Sequence, residues 1–309
     1  MEDVDQMYMR RCLQLASNGL GRVRPNPLVG CVVVKEGRIV SEGYHQEHGR
    51  NHAERNALLR PGDYRGATLY VNLEPCSHHG HTPPCADLIV ERGIGRVVCS
   101  CDDPNPLVAG AGFRKLEAAG IEVVRHVLEG EGRELNRRFF TFMERRRPYV
   151  ILKWAESQDG FMAPPAGREY WLSTQRQNRL NHRWRTEEAA ILVGSGTYFK
   201  DCPALTPRHY IGPQPLPVVL DRRGRLEDVP PHWLRLGSHS VAEALGELYG
   251  RQVQSVIVEG GRTVLDAFIG AGLYDEVRVL RSAQVLGGGL AAPAVPAGLP
   301  EGRVVMVNP

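Results

Sequence analysis

His52, Glu54, Cys76 and Cys85 are the residues whose types and spacing most clearly support chemistry in this chain. One imidazole and two thiolates suit Zn2+, and three protein ligands leave the fourth tetrahedral position to water, as in catalytic sites. Glu54 stands two residues beyond His52, near enough to reach that water without binding the metal. A carboxylate so placed can take a proton from water and deliver it to a departing amine. His52-Ala53-Glu54, followed by Pro75-Cys76 and a second cysteine, is therefore the pattern of hydrolytic deamination. Its departure is the cysteine spacing, with eight residues between Cys76 and Cys85 where two are usual, so the ends of that loop must converge on the metal. The competing reading is a closed structural site with a fourth ligand from His78, His79 or His81. Structural zinc knots pair their ligands at short spacing and lack a neighbouring glutamate, which favours the catalytic reading.

The flanking patterns predict the elements that must hold these groups. Residues 3–18 read as a helix, Leu28–Val34 as a strand turned at Glu36-Gly37, and Arg38–Gly43 as its hairpin return. A helix over His52–Leu59 and a strand over Thr68–Asn72 follow. Pro84–Glu91 reads as a helix whose N-terminal dipole favours the Cys85 thiolate. The strand Arg96–Cys99, a helix near Phe113–Ala119, the strand Ile121–Val124 and a closing helix over Glu131–Arg146 complete a sheet covered by helices. The arginines before Pro148 read as a solvated helix end, and the proline marks a division into 1–147 and 148–309.

The second part alternates again. Strands are expected at Tyr149–Trp154, Ala189–Val193, Val218–Asp221, Ser255–Glu259 and Val277–Leu280, with a helix over Thr263–Ala271. Five prolines make Pro203–Pro217 a loop, and Gly287–Pro300 reads as an irregular tail. Either the last strands are trimmed or Val304–Val307 supplies the final one. Glu259-Gly260-Gly261 joins a buried strand to a helix start, where bare N–H groups and a dipole end can receive a phosphate. Many strand–helix turns carry glycine for steric reasons alone. Val193-Gly194-Ser195-Gly196-Thr197 lacks the G-x-G-x-x-G spacing of a dinucleotide fold.

With 309 residues, the chain suits two domains of about 150 residues each. Its 42% apolar and 24% charged residues exclude wholesale disorder. The balance of 38 basic against 35 acidic residues, +3, does not point to nucleic acid or an anionic membrane. Seven cysteines, an odd number, do not suit a secreted disulfide framework. The acidic N-terminus has no secretory pattern and no run approaches 18 apolar residues, so a cytoplasmic protein without a membrane span is expected. Cys12, Cys31, Cys99 and Cys101 lie in or beside apolar runs and read as small core residues, and Cys202 lies in a loop.

Pro25-Asn26-Pro27-Leu28-Val29-Gly30-Cys31, 66–76 running into the zinc pattern, Thr82-Pro83-Pro84-Cys85 and Asp103-Pro104-Asn105-Pro106 stand together in the first part. Through them the chain resembles the bifunctional riboflavin-biosynthesis deaminase/reductase family. The long cysteine spacing separates it from cytidine and tRNA-adenosine deaminases. This chain has His81 where the family usually has arginine. The second part is similar to the family's reductase module through Lys153-Trp154-Ala155-Glu156-Ser157-Gln158-Asp159-Gly160, with Gln158 where leucine is commoner. Trp171, His182, Arg185, Gly194, Thr197, Asp201, Pro203, Leu205, Thr206, Arg208 and Glu259-Gly260-Gly261 continue the match.

The resemblance implies an α/β protein, with a cytidine-deaminase-like α/β/α domain followed by a dihydrofolate-reductase-like α/β domain. It implies Zn2+ on His52, Cys76 and Cys85, proton transfer by Glu54, and a pyrimidine pocket lined by Asn26, His45 and Asn105. It implies NADPH at Trp171, Thr197, Asp201, Gly261, Arg262, Thr263, Val264 and Leu265, and a ribose phosphate substrate at Arg185, Leu205, Arg208 and Glu259. Two arginines suit a phosphomonoester, although surface ion pairs are their plain alternative. Lys153 and Asp201 are the expected proton-handling pair. The expected partners are a pyrimidine ribosyl phosphate and further copies of the chain, without nucleic acid or membrane. The competing function is a zinc deaminase of nucleic acid or a free nucleoside, with a non-catalytic second domain.

Overall fold

Asp3 accepts the backbone N–H of Asp5 and starts α1 (Val4–Ser17). The computed structural model describes residues 3–78, 83–105, 110–165 and 170–309, and the chain divides into Met1–Arg145 and Arg146–Pro309. In the first unit β1 (Gly30–Lys35) and β2 (Arg38–Tyr44) form the expected hairpin. Then follow α2 (Ala53–Leu58), β3 (Thr68–Leu73), α3 (Cys85–Glu91), β4 (Arg96–Cys101), α4 (Ala111–Ala118), β5 (Glu122–Val124), α5 (Glu129–Leu135) and α6 (Arg137–Arg145). The sheet order is β2-β1-β3-β4-β5, antiparallel as far as β3 and parallel beyond it.

Alternation along β1 sends Cys31 and Val33 to a core shared with Ala53, Ala57, Ile89, Phe113 and Leu116. Val32 and Val34 pack on the other face with Met9, Cys12, Tyr70 and Val98. Cys12, Cys31, Cys99 and Cys101 are buried, as their apolar surroundings imply, and Cys202 is exposed.

The single closing helix expected over 131–146 is broken. Asn136 leaves the helical conformation, accepts the Leu28 N–H at 2.8 Å and donates to the Leu28 carbonyl at 2.9 Å. One amide thus satisfies both backbone groups of a buried loop residue, at the expense of helix continuity. Of the expected solvated arginine run, Arg145 and Arg146 are exposed, whereas Arg147 departs from it with a two-pronged ion pair to Asp275 at 2.6 and 2.8 Å. The paired side chains are only 14% and 8% exposed.

The second unit contains β6 (Tyr149–Glu156), β7 (Phe161–Ala163), α7 (Gln175–Glu187), β8 (Ala190–Gly194), α8 (Ser195–Asp201), β9 (Leu216–Leu220) and β10 (Leu234–Leu236). It continues with α9 (Val241–Gly250), β11 (Ser255–Val258), α10 (Arg262–Gly270), β12 (Glu276–Arg281), β13 (Leu290–Ala291) and β14 (Val304–Val307). The seven-stranded order is β10-β9-β8-β11-β6-β12-β14, with every pair parallel, and β7 pairs with β13 alone. Val304–Val307 is the final strand. Strands buried on both faces read as continuous apolar runs, which is why they were legible.

Helix α7 carries no such signal. Its buried face includes Gln177, Asn181, His182 and Thr186, and Gln177 donates to the carbonyls of Arg281 and Val307. Helix α9 was legible but not read: Ser240 caps it, and Val241, Ala244, Leu245 and Leu248 form its buried stripe. Among the described residues, no helix is long and apolar enough to cross a membrane.

Candidate metal centre and candidate cofactor turn

His52 precedes α2, Cys76 lies just past β3, and Cys85 opens α3. Nδ1 of His52 is 3.6 Å from Cys76 Sγ and 3.5 Å from Cys85 Sγ, and the three ligand atoms lie within 4.8 Å of one another. Tetrahedral zinc with ordinary Zn–N and Zn–S bonds holds nitrogen and sulfur about 3.6 Å apart, so the donor set and its spacing fit the ion. Among the described residues only these three gather in this way. His78 is exposed, whereas His79 and His81 lie outside the described residues.

The Cys85 thiol and the His52 ring hold the Cys76 thiol well below its ordinary value. Glu54 is 3% exposed, and its Oε2 has no hydrogen-bond partner. Burial pushes its carboxyl above the ordinary value. An orphaned buried carboxylate oxygen beside a metal-ligand cluster is a group arranged for a partner that arrives with the reaction.

Asn26 and His45 stand beside this cluster. The His45 ring meets His52 edge-on with centroids 5.4 Å apart. Its Nδ1 lies 3.0 Å from the Asn51 carbonyl and therefore carries the proton, leaving Nε2 to accept from Asn26 Nδ2 at 3.1 Å. Burial lowers His45, which favours the neutral ring. Asn105 donates its backbone N–H to Asp103 Oδ1 at 2.8 Å, and burial pushes the Asp103 carboxyl up to about 6.

Sequence reasoning missed Glu74. Its buried carboxylate accepts backbone N–H groups from Asp103 at 3.4 Å, Gly110 at 3.0 Å and Gly112 at 2.9 Å. The chain on either side of 106–109 thus hangs from a residue two positions before Cys76. A lone acid at the end of the apolar run 68–73 was the available signal.

In the second unit Arg185, Glu259 and Lys153 come together. Arg185 donates from Nε at 3.1 Å and from Nη2 at 2.8 Å to the Glu259 carboxylate, and from Nη1 at 3.1 Å to the Thr206 carbonyl. Lys153 Nζ lies 3.9 Å from the same carboxylate. Burial acts to raise Glu259, but the two cations outweigh it and hold the carboxyl at about 2. Burial lowers Lys153. His182 accepts the His209 N–H at 3.3 Å, and burial, reinforced by Arg185, takes it down to about 4. Leu205 is buried and Arg208 exposed. The expected pairing of Lys153 with Asp201 is not what the structure brings together: Asp201 is exposed at the end of α8, and the carboxylate beside Lys153 belongs to Glu259.

Helices α8 and α10 begin at the carboxyl ends of the adjacent strands β8 and β11. A Cβ on Gly260 would lie 2.6 Å from backbone atoms of Val193 and Gly194, so only glycine permits this approach. Gly261 donates its N–H to Thr197 Oγ1 at 2.8 Å, tying the two turns together. A Cβ on Gly196 would meet open space. Open backbone beside the start of α10, in the crevice past the strand ends, fits the phosphates of a dinucleotide. Trp171 is 75% exposed, Thr263 is exposed and Val264 is half-buried. Leu265 is fully buried in the core and Arg262 is bonded to the chain itself, so neither is presented as freely as the resemblance implies.

Residues 148–304 match the family described as "RibD C-terminal domain", and residues 2–101 match "Cytidine and deoxycytidylate deaminase zinc-binding region". The chain is 39% identical to riboflavin biosynthesis protein RibD of Aquifex aeolicus, over 94% of this chain and 90% of that protein. It is 38% identical to riboflavin biosynthesis protein RibD of Escherichia coli, over 92% of this chain and 89% of the other. Among solved structures, it is similar to a diaminohydroxyphosphoribosylaminopyrimidine deaminase/5-amino-6-(5-phosphoribosylamino)uracil reductase from Thermotoga maritima. That likeness has a TM-score of 0.86 at 40% identity and covers 96% and 93% of the two chains. For RibD of Acinetobacter baumannii the TM-score is 0.88 at 35% identity, covering 97% and 92%.

Proposed function

The chain belongs to the RibD family of bifunctional riboflavin-biosynthesis deaminase/reductases, and from that premise we propose how its residues divide the two reactions. Residues 1–147 hydrolyse the 2-amino group of 2,5-diamino-6-ribosylamino-4(3H)-pyrimidinone 5′-phosphate, and 148–309 reduce the ribosyl group of the product to ribityl with NADPH. The near-neutral charge supports a small-molecule substrate over nucleic acid, and the family resemblance is what implies a cytoplasmic homo-oligomer.

Zinc on His52, Cys76 and Cys85 supplies, when bound, a Lewis acid that makes water nucleophilic near neutral pH. Glu54 accepts a proton from the attacking water at its unpartnered oxygen. It passes that proton to the 2-amino nitrogen, so a C–O bond replaces the C–N bond and ammonia leaves. Neutral His45 and Asn26 hold the pyrimidine from one side, and Asn105 holds it from the loop that Glu74 supports.

NADPH, when bound, would supply a hydride, two electrons with one hydrogen, to the sugar carbon attached to nitrogen, where a C–H bond replaces the bond to the ring oxygen. Thr197 and Gly261 shape its turn, with Trp171, Asp201, Thr263 and Val264 at the margin. Lys153, kept beside Glu259, gives its proton to the sugar ring oxygen as the ring opens, leaving a hydroxyl. Arg185 fixes the Glu259 carboxylate, and buried Leu205 and exposed Arg208 complete the site, with Arg208 receiving the phosphate.

The gathering of His52, Cys76 and Cys85 around an unpartnered Glu54 oxygen carries the reading. Zinc analysis paired with a coupled assay of ammonia release and NADPH oxidation tests it. One zinc per chain with both signals in sequence is expected, and NADPH oxidation without ammonia release from the diamino substrate overturns the order.

A further inference from the structure

The segment 284–292 is bonded at both ends to the cofactor side of the second unit. At one end the Asp159 carboxylate accepts the N–H of Leu286 at 3.0 Å and of Gly287 at 2.7 Å, and the Ser157 hydroxyl at 2.6 Å. Gln158 donates its N–H to the Gln284 carbonyl at 2.8 Å, and Gln284 Nε2 reaches the Trp171 carbonyl at 3.3 Å. In the middle, Leu290 and Ala291 pair with β7, and a Cβ on Gly289 would lie 2.0 Å from the Ala163 carbonyl oxygen. At the other end Arg262, the first residue of α10, donates from Nη1 to the carbonyls of Ala291 at 2.7 Å and Ala292 at 3.2 Å. Its Nε is held by Asp266 at 2.7 Å.

We infer that Asp159 and Arg262 are positioning residues that pin 284–292 as a strap from the end of β6 to the start of α10, and that Arg262 supports NADPH through this strap rather than as its ligand. The inference rests on the cofactor turn assigned above. Two observations carry it. The Arg262 guanidinium is committed on both sides, to Asp266 and to two strap carbonyls, and a side chain so occupied has little left to offer a phosphate. Asp159, far from Arg262 in sequence, grips the opposite end of the same nine-residue span through two backbone N–H groups, and with the Ser157 hydroxyl these hold its carboxyl at about 2. Because Asp159 and Arg262 hold the same span, losing either loosens the segment at one end, and the two losses should not add independently.

Arg262→Ala, Asp159→Ala and the double variant separate this from a direct contact, with Asp159→Asn as a milder version. Hydrogen exchange of the 284–292 amides is read beside the KM for NADPH and kcat, and exchange of the β6 and β11 amides reports folding of the second unit. Each single variant should speed exchange of the segment and raise the KM about tenfold, more than it lowers kcat, with the double variant within about twofold of the weaker single. A wild-type KM for Asp159→Ala, multiplicative KM effects in the double variant, or protected amides in Arg262→Ala would overturn the strap. If the unaltered protein oxidises no NADPH, the function proposed above fails instead, and exchange of the segment still decides the strap.

Discussion

Arg185 and Glu259 face each other through two N–H···O contacts of 3.1 and 2.8 Å, and Lys153 stands 3.9 Å from the same carboxylate. Two cations share one buried anion, so the proton on Lys153 and the direction of Arg185 both depend on Glu259. Removing one partner of a buried pair leaves an uncompensated charge, which costs about 3 kcal/mol or more. Arg185→Ala should therefore destabilise the second unit in urea by about that amount and abolish NADPH oxidation on the deaminated substrate. Arg185→Lys should not restore activity, because an ammonium cannot reproduce the two-pronged contact. Wild-type NADPH oxidation in Arg185→Ala would refute the role of the pair.

Glu54→Gln should retain zinc while ammonia release falls by about 100-fold or more. The amide keeps the shape of the side chain and cannot carry the proton. Metal content and ammonia release on the same preparation decide this, and preserved turnover with bound zinc would remove Glu54 from the reaction.

Stripping zinc with a chelator should stop ammonia release and leave NADPH oxidation on the already deaminated substrate, since His52, Cys76 and Cys85 all lie in the first unit. Loss of both activities on the respective substrates would mean that the ion supports the second unit as well.

His182 sets a pH dependence. The unfolded chain takes up its proton at about 6.5, whereas burial and Arg185 hold the folded side chain at about 4. Between those values only the unfolded state is protonated, so its contribution to stability is complete above the upper value and is lost as pH falls toward the lower. Thermal midpoints measured from pH 7 to pH 4.5 should fall less steeply in His182→Gln than in the unaltered protein. Equal slopes would mean that the ring titrates alike in both states.

Asn136→Ala should destabilise the first unit by about 2 kcal/mol, through the loss of both bonds to the Leu28 backbone. Denaturant unfolding measures the change, and a shift near zero would mean that water replaces the amide.

The gathering of His52, Cys76 and Cys85 was legible because the chemistry they suit fixes residue type and their order is local to two short stretches, 52–54 and 76–85. Most strands of both sheets were legible for a related reason: burial on two faces imposes apolar runs such as Val150–Leu152 and Val256–Val258. Helix α7 was not, because its buried face spends polar groups on distant carbonyls, so no apolar period survives. The break at Asn136 was hidden likewise, since its partner Leu28 is 108 residues away.

The sequence by itself determined the family, the His52, Cys76 and Cys85 set that the fold gathers, the two-part organisation and the expectation of deamination followed by reduction. Only the tertiary structure decided that Glu259, not Asp201, stands beside Lys153, that Glu74 suspends the chain flanking 106–109, and that Arg262 is bonded to 284–292. Local patterns record what a residue must be for its own element, whereas charge pairing and backbone satisfaction depend on which distant segments the fold brings within 3 or 4 Å.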